Sequence, residues 1–469
     1  MGHHHRVHTD LAGAARTSAL AGLAAHHPVV VDGVPTAGGG SVVTIVDPST
    51  GLALTEVATA DGRDVDSAVR AARRTHDRAW GRIPGVQRGQ ALLRLAREVR
   101  DHADSLAVLE SLGTGIPLRQ ARERDLPEVL AHLVHHAGWA DKLAHAGYGP
   151  GPDGNGPRSL GVVAVLVPPS SSLVLAVRIV AAALAAGNAA VLVPAVASPL
   201  AALVLAELAR AAELPPGLLT VLPGGPDVRA ALLDHPGTSS VTITGDRAAA
   251  AVVQRRLAGR ATRLVLELRG PATTVVLADG DPVRAAAQLA DSLTAHHQLA
   301  GAGSRVLVDR AVARALTEEL RARVAGLRVG DALDPHADVG PLATAEQRDT
   351  ALRALEGAQG DVWTGPHPVP EQGFFLAPAV RTDPPAPLRA SVDPGGPVLS
   401  VHVVDGEEGA VALAQLQPGA LGVWTADAVR PAALARRLRR DVVQDGCPVP
   451  ALGHGGGPVP LGGYLDVQR

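Results

Sequence analysis

Apolar and polar positions change their period several times along the chain. From Gly161 to Leu268 short apolar runs alternate with amphipathic stretches. The runs are Gly161–Val167, Ala189–Val193, Leu218–Leu222, Ser239–Thr244 and Leu264–Leu268, and they predict strands. Between them Leu173–Ala186, Pro199–Ala212, Asp227–Leu233 and Arg247–Leu257 predict helices. Strands joined by helices of this length need crossover connections, hence a parallel sheet covered on both faces. This is the pattern of a doubly wound, Rossmann-type unit.

Upstream, Val42–Val46 and Leu52–Val57 read as strands, and Asp64–Trp80, Val86–Leu112 and Pro127–Leu143 as amphipathic helices. The first 40 residues, ending in Gly38-Gly39-Gly40, read as a loose entry segment, and the Gly- and Pro-rich stretch 148–158 as a short linker. Downstream a second α/β unit is expected from strands Thr273–Leu277, Arg305–Val308, Asp361–Thr364, Val398–Val404 and Gly422–Thr425. Helices Pro282–Thr294, Val312–Ala325, Ala343–Leu355 and Arg430–Arg440 accompany them, with Asp331–Leu342 an extended loop. The expected organisation is an entry segment over 1–40, a Rossmann-type unit from 41–147 and 159–266, and a second α/β unit over 267–455.

Composition narrows the class. Hydrophobic residues make up 46% of the 469 and aromatic ones only 2%, so the cores must be built from Ala, Val and Leu. A net charge of −3 gives no electrostatic reason to expect nucleic acid or an anionic membrane as partner. The single cysteine, Cys447, excludes an internal disulfide framework and a cysteine-based zinc site, and a reducing, cytoplasmic setting is expected. No secretory signal or membrane-spanning run is apparent, and His3, His4 and His5 make a weak metal site at a chain end. No metal is expected.

Candidate chemistry centres on His297-Gln298-Leu299-Ala300-Gly301-Ala302-Gly303-Ser304-Arg305, just before an apolar run. Gln298 and Ala302 to Arg305 match a pattern close to G-Q-x-C-x-A-G-S-R. Other segments agree in order: Leu109-Glu110-Ser111-Leu112, Ala183–Asn188, Leu214-Pro215-Pro216-Gly217, Thr244-Gly245, Glu267-Leu268, Gly396-Pro397-Val398 and Pro460-Leu461-Gly462-Gly463-Tyr464. Through these, residues 40 to 464 resemble the aldehyde dehydrogenase superfamily. The resemblance implies a Rossmann-type cofactor domain, a second α/β catalytic domain, NAD(P) as cofactor and a thiolate nucleophile.

Several of the positions that carry this chemistry depart from the pattern. Ala300 stands where the nucleophilic cysteine belongs, and an alanine methyl cannot form a thiohemiacetal. Glu267 matches the family's general base, followed by Leu268-Arg269-Gly270-Pro271. Its carboxylate could equally serve a structural pair with Arg263 or Arg269. Ser170 replaces the oxyanion-donating asparagine and has a shorter reach. The lysine and glutamate that hold the adenosine ribose become Val193 and Val196. Asp246 follows Thr244-Gly245 where the diphosphate is expected, and its carboxylate would cap the next helix and repel that anion. Asp393 replaces the glutamate of the nicotinamide ribose, one methylene shorter. Ser304 reads as structural, because a serine without an activating base is a poor nucleophile. His296 and His297 read as surface residues.

The resemblance therefore implies a chain similar to the catalytically silent copy found in two-domain relatives. Its expected role is a structural or regulatory subunit of an active aldehyde dehydrogenase, with no cofactor, or NAD(P) if binding is retained. The alternative is an enzyme of altered, non-cysteine chemistry, oxidoreductase or hydrolase, using Glu267 and His297. Substitutions beyond Ala300 argue against a single engineered knock-out. The oligomerisation elements are expected to be reduced to 148–158 and 456–469, so the usual homotetramer is not expected.

Overall fold

The computed structural model describes residues 16–17, 23–143, 158–169, 172–268, 273–296, 305–357, 360–366, 368–382, 396–416, 421–439, 442–445 and 464–466. The turn 297–304, the linker 148–157, Ser170, Asp393 and Cys447 lie outside them.

Five strands, β1 (Val162–Leu166), β2 (Ala189–Val193), β3 (Leu219–Val221), β4 (Ser240–Gly245) and β5 (Arg263–Leu268), form a parallel sheet in the order β5-β4-β1-β2-β3. Every residue of β1 and β2 is buried, as a sheet covered on both faces requires. Four longer helices precede the sheet, α1 (Gly62–Thr75), α2 (Gly85–Asp101), α3 (Ala103–Thr114) and α4 (Leu126–Trp139), with the single turn Leu118–Gln120 between the last two. Four more are wound into it: α5 (Ser172–Ala185), α6 (Leu200–Ala211), α7 (Pro226–Asp234) and α8 (Arg247–Leu257). One hydrophobic core joins all eight helices to the sheet. Gly85 and Gly89 let α2 approach α4 closely, since a Cβ there would lie 2.1 Å from the Ala140 carbonyl oxygen and 2.6 Å from that of Ala137.

A second sheet contains β6 (Thr273–Val276), β7 (Arg305–Asp309), β8 (Asp361–Thr364), β9 (Ala379–Thr382), β10 (Val398–Val404), β11 (Leu421–Trp424) and β12 (Val442–Gln444). Its order is β8-β9-β10-β7-β6-β11-β12, parallel except for the edge strand β8. Separate apolar clusters line it, which fits a second α/β unit.

Three expectations need correction. The helix expected over Val86–Leu112 breaks at His102, whose backbone leaves the helical region (φ −112, ψ 18) and whose Nδ1 lies 2.8 Å from the Glu98 carbonyl oxygen. The entry segment is not uniformly loose. Val29–Val31 and Val34–Thr36 form an antiparallel hairpin turned by Asp32-Gly33, both at positive φ (53 and 78). Both central residues at positive φ suit a tight hairpin. The strands β9 and β12 and the helix Gly406–Gln415 were absent from the expected set. Near the chain end, Leu465–Asp466 pairs antiparallel with Arg158–Ser159 of the same chain.

Candidate active site

In a doubly wound sheet, ligands bind beyond the carboxyl ends of the strands where the strand order reverses. Here that point lies between β1 and β4, whose register pairs Ile243 with Leu166. Chain leaving β1 passes through Pro168-Pro169 to Ser170 and enters α5, and chain leaving β4 passes through Thr244-Gly245-Asp246 into α8. The fold thus gathers the ends of β1, β4 and β5 at one edge, with Thr244 directly opposite Glu267.

α5 is almost wholly apolar and buried, and Arg178 is its one charge. A buried guanidinium must find an acceptor, because leaving a charge unpaired in the interior is costly. Arg178 Nη2 meets Glu267 Oε1 at 3.1 Å, with the two side chains 8% and 10% exposed. Thr244 Oγ1 donates a long hydrogen bond, 3.4 Å, to the other carboxylate oxygen. A structural pairing was expected for Glu267 with Arg263 or Arg269, and the guanidinium that meets its carboxylate here comes from Arg178 of another element. Arg263 opens the same strand and is exposed, and Arg269 lies outside the described residues. Arg178 was overlooked because the partner is set by packing, although a lone charge in an apolar helix was the available signal.

Two further groups fix this corner. The buried Glu110 of α3 accepts at 3.2 Å from the backbone N–H of Leu173, anchoring the start of α5. Tyr464 is fully buried and lies 3.2 Å from Thr242 Oγ1 through its hydroxyl, and burial pushes its phenol well above the ordinary range. Asn188 ties the chain end to the sheet, donating to the carbonyls of Tyr464 (2.9 Å) and Ala183 (3.1 Å) and accepting from Gly161 N–H at 3.0 Å. The segment matching at Ala183–Asn188 is thus structural.

Among the other expected positions, Val193 ends β2 with no exposure and Val196 is half-buried. Thr244 is buried, and Gly245 has room for a side chain, since a Cβ would come no closer than 3.7 Å to Ala249. Asp246 is extended (φ −81, ψ 174) and caps α8, accepting from Ala249 N–H at 2.7 Å. A cap of this kind satisfies a free helix donor with the protein's own carboxylate. Ser170, Ala300, Asp393, His297 and Ser304 lie outside the described residues. Among the described residues no cluster of three or more His, Cys, Asp or Glu could hold a metal, and no helix is long and apolar enough to cross a membrane.

This architecture and order of segments match one known family. Residues 35–463 fit the profile of the aldehyde dehydrogenase family. The chain belongs to the aldehyde dehydrogenase family. Geranial dehydrogenase of Castellaniella defragrans is 31% identical over 411 residues, covering 85% of this chain and 86% of that protein. Aminoacetaldehyde dehydrogenase of Pseudomonas aeruginosa is 32% identical over 456 residues, covering 91% and 88%. Among solved structures, an aldehyde dehydrogenase from Bacillus cereus in complex with NAD+ superposes with a TM-score of 0.87 at 26% identity, covering 94% and 96% of the two chains. Gamma-glutamyl-gamma-aminobutyraldehyde dehydrogenase from Burkholderia cenocepacia J2315 gives 0.87 at 29% identity, covering 97% and 98%. The described residues thus carry the α/β fold of this family, with both parallel sheets in place.

Proposed function

We propose that this aldehyde dehydrogenase family member is non-catalytic and serves as a structural or regulatory subunit of an active NAD(P)-dependent aldehyde dehydrogenase. The observation that carries this reading is Ala300, a methyl group at the nucleophile position in a chain whose only cysteine, Cys447, lies in another stretch. Covalent aldehyde oxidation needs a nucleophile that can add to the carbonyl and later leave.

The Glu267 corner supports it. The Glu267 carboxylate is held on one oxygen by a buried guanidinium, with a hydroxyl 3.4 Å from the other, so it already serves a structural pair. Withdrawing it as a base breaks a buried pair, which costs several kcal/mol. The residues at the cofactor positions do not fit a dinucleotide. Val193 and Val196 offer no hydrogen bond to ribose hydroxyls, and Asp246 places a carboxylate at the helix start a diphosphate would need. Valine at these two positions also leaves no unpaired buried charge in an empty cleft.

The purified chain is expected to reduce neither NAD nor NADP with short aliphatic or aromatic aldehydes. Turnover that Glu267→Gln abolishes overturns the proposal. Ala300→Cys is expected to remain silent, because the ribose and diphosphate positions also differ. Affinity purification from the native host is expected to bring down an active aldehyde dehydrogenase chain, and a lone chain in repeated purifications counts against the subunit role.

A further inference from the structure

The carboxyl ends of the five-stranded parallel sheet carry the Glu267 corner, whereas Ser159 lies just before β1 and Gly187 just before β2, at the amino ends. There Ser159, His76 and Asp77 form a hydrogen-bonded line. The Ser159 hydroxyl lies 2.8 Å from His76 Nε2, and His76 Nδ1 lies 2.8 Å from Asp77 Oδ1. On the far side Arg73 Nε donates to Asp77 Oδ2 at 3.2 Å. Desolvation raises the Asp77 pKa, and the hydrogen bonds of His76 and Arg73 together outweigh it, so the carboxyl is held below its ordinary range. An ionised carboxylate can only accept, so Nδ1 of the neutral ring carries the proton, Nε2 is left as an acceptor, and the Ser159 hydroxyl donates to it. A serine, a histidine placed to take its proton and a carboxylate that orients that histidine are the parts of a nucleophilic triad, which is recognised by geometry rather than by chain order.

Each part sits on fixed structure. After α1 the helix widens into a π-type turn, His76–Trp80, closed by the Gly81 N–H donating to the His76 carbonyl at 3.0 Å. Such turns are rare and recur at functional sites. Trp80 pins this one, its buried indole N–H donating to the Leu184 carbonyl at 3.0 Å. Ser159 is held by the pairing of Arg158–Ser159 with Leu465–Asp466. The histidine side chain keeps 15% exposure, and Ser159 is half-buried.

Two glycines keep this pair approachable. A Cβ on Gly81 would stand 2.8 Å from His76 Nε2, and one on Gly187 would stand 3.5 Å from Ser159 Oγ and 3.7 Å from Arg88 Cζ. Gly187 therefore leaves an opening with the hydroxyl on one side and a guanidinium on the other. Arg88 is fixed through Nε to the Ala185 carbonyl at 3.0 Å and through Nη1 to the Ile83 carbonyl at 2.6 Å, and neither bond uses Nη2. A fixed cation beside a nucleophile stabilises the oxyanion that forms on addition to a carbonyl.

We propose that Ser159, His76 and Asp77 form a serine-hydrolase site for small carboxylic esters, with Arg88 facing the carbonyl oxygen. Ser159 Oγ adds to the carbonyl carbon as His76 Nε2 takes the hydroxyl proton. Collapse breaks the ester C–O bond, and the alcohol leaves with that proton, giving acyl-serine. Water adds in the same way, its proton passing through His76, and release of the carboxylic acid restores Ser159. The loss of aldehyde oxidation concerns the other end of the sheet and is independent of this site.

The test uses the full chain and p-nitrophenyl acetate, with nitrophenolate release followed by absorbance. Release that saturates with ester is expected, and Ser159→Ala and His76→Gln are each expected to lower it at least about tenfold. Cys447→Ser, which removes the only thiol, is expected to leave it unchanged. A fluorophosphonate, which bonds its phosphorus to an activated serine oxygen with loss of fluoride, is expected to label Ser159 in the native chain and not in His76→Gln, read by peptide mass spectrometry. Circular dichroism verifies folding, and labelling of the native chain together with Ser159→Ala carries the test if His76→Gln does not fold. No saturable release, an unchanged rate in folded Ser159→Ala, a rate lost in Cys447→Ser, or a label placed away from Ser159 overturns the proposal.

Discussion

At the scale of single residues, the decisive feature is the pairing of Arg178 with Glu267. Each side chain is buried, so each makes the other tolerable in the interior. Truncating one partner strands the other, and such breaks cost about 3–5 kcal/mol. Arg178→Met alone is therefore expected to lower stability by about that much in urea denaturation, and Glu267→Gln by a smaller amount, since an amide can still accept. The double variant is expected to be less destabilised than the sum of the two. Strict additivity in that cycle means that the pair is not coupled. Glu267 itself was legible from the sequence as a family position. Its partner was not, because the guanidinium comes from a helix 89 positions away in the chain.

At the scale of elements, α4 carries an unusual buried polar ladder. Glu128, His132 and His136 recur every fourth residue and so share a face. His132 and His136 stack with ring centroids 6.5 Å apart, and His135 meets His136 edge-on at 5.1 Å. His136 is fully buried, and neither ring nitrogen has a hydrogen-bond partner among the described residues. Burial first, then the like charges of His135, His132 and Arg178, push its pKa down to about 3. Just before α4, burial raises the Asp125 carboxyl to about 6 against the opposing pull of Arg124, with Glu128 adding to the rise.

These two groups act on stability in opposite senses. Between the ordinary histidine value of about 6.5 and about 3, the unfolded chain takes up a proton that folded His136 refuses. Stability from this group therefore falls as pH falls through that window. Asp125 stays protonated when folded and ionises when unfolded, so its contribution is present below about 3.8 and is lost as pH rises toward about 6. Asp125→Asn is expected to steepen the loss of stability on acidification from pH 6 to pH 4, read from thermal midpoints. His136→Leu is expected to tilt the profile the other way. The same shift in both variants, or none in either, removes the assigned protonation states. The helix itself was readable from its apolar spacing. That His136 faces inward with no acceptor depended on how α4 packs against α2 and α5, which no local pattern specifies.

At the scale of the whole molecule, Arg16 ties the N-terminal segment to two distant places. Its Nε meets Asp47 at 2.8 Å, and its Nη2 meets Asp331 at 2.7 Å. Asp47 follows the strand Val42–Val46, and Asp331 opens the long loop of the second unit, so one guanidinium links both halves. Asp47 is nearly inaccessible, and its burial raises its pKa despite the arginine. Arg16→Met is expected to lower the thermal midpoint at pH 7, with a loss of about 2–3 kcal/mol, because it leaves a buried carboxylate short of its cation. An unchanged midpoint means that the clip carries no net stability. Leu465–Asp466 pairs with Arg158–Ser159, more than half the chain away, a second long-range tie within the chain.

What the sequence by itself determined is whatever repeats locally along the chain. The alternation of apolar runs and amphipathic stretches from Gly161 to Leu268 specified a parallel, doubly wound sheet, since period and length constrain each element before any partner is chosen. The ordered segments from Leu109 to Tyr464 specified the family, and Asp246 announced its capping role by standing just before a helix. Shorter pieces escaped this reading. A three-residue strand containing Pro35 has no period to detect, and His102 breaks a helix inside continuous apolar spacing. The tertiary structure alone decided which buried groups meet: Arg178 with Glu267, Tyr464 with Thr242, and Arg16 with Asp47. Those meetings depend on strand order, register and helix packing between positions far apart in sequence, where the energy of a contact belongs to the folded geometry and leaves no periodic trace in the chain.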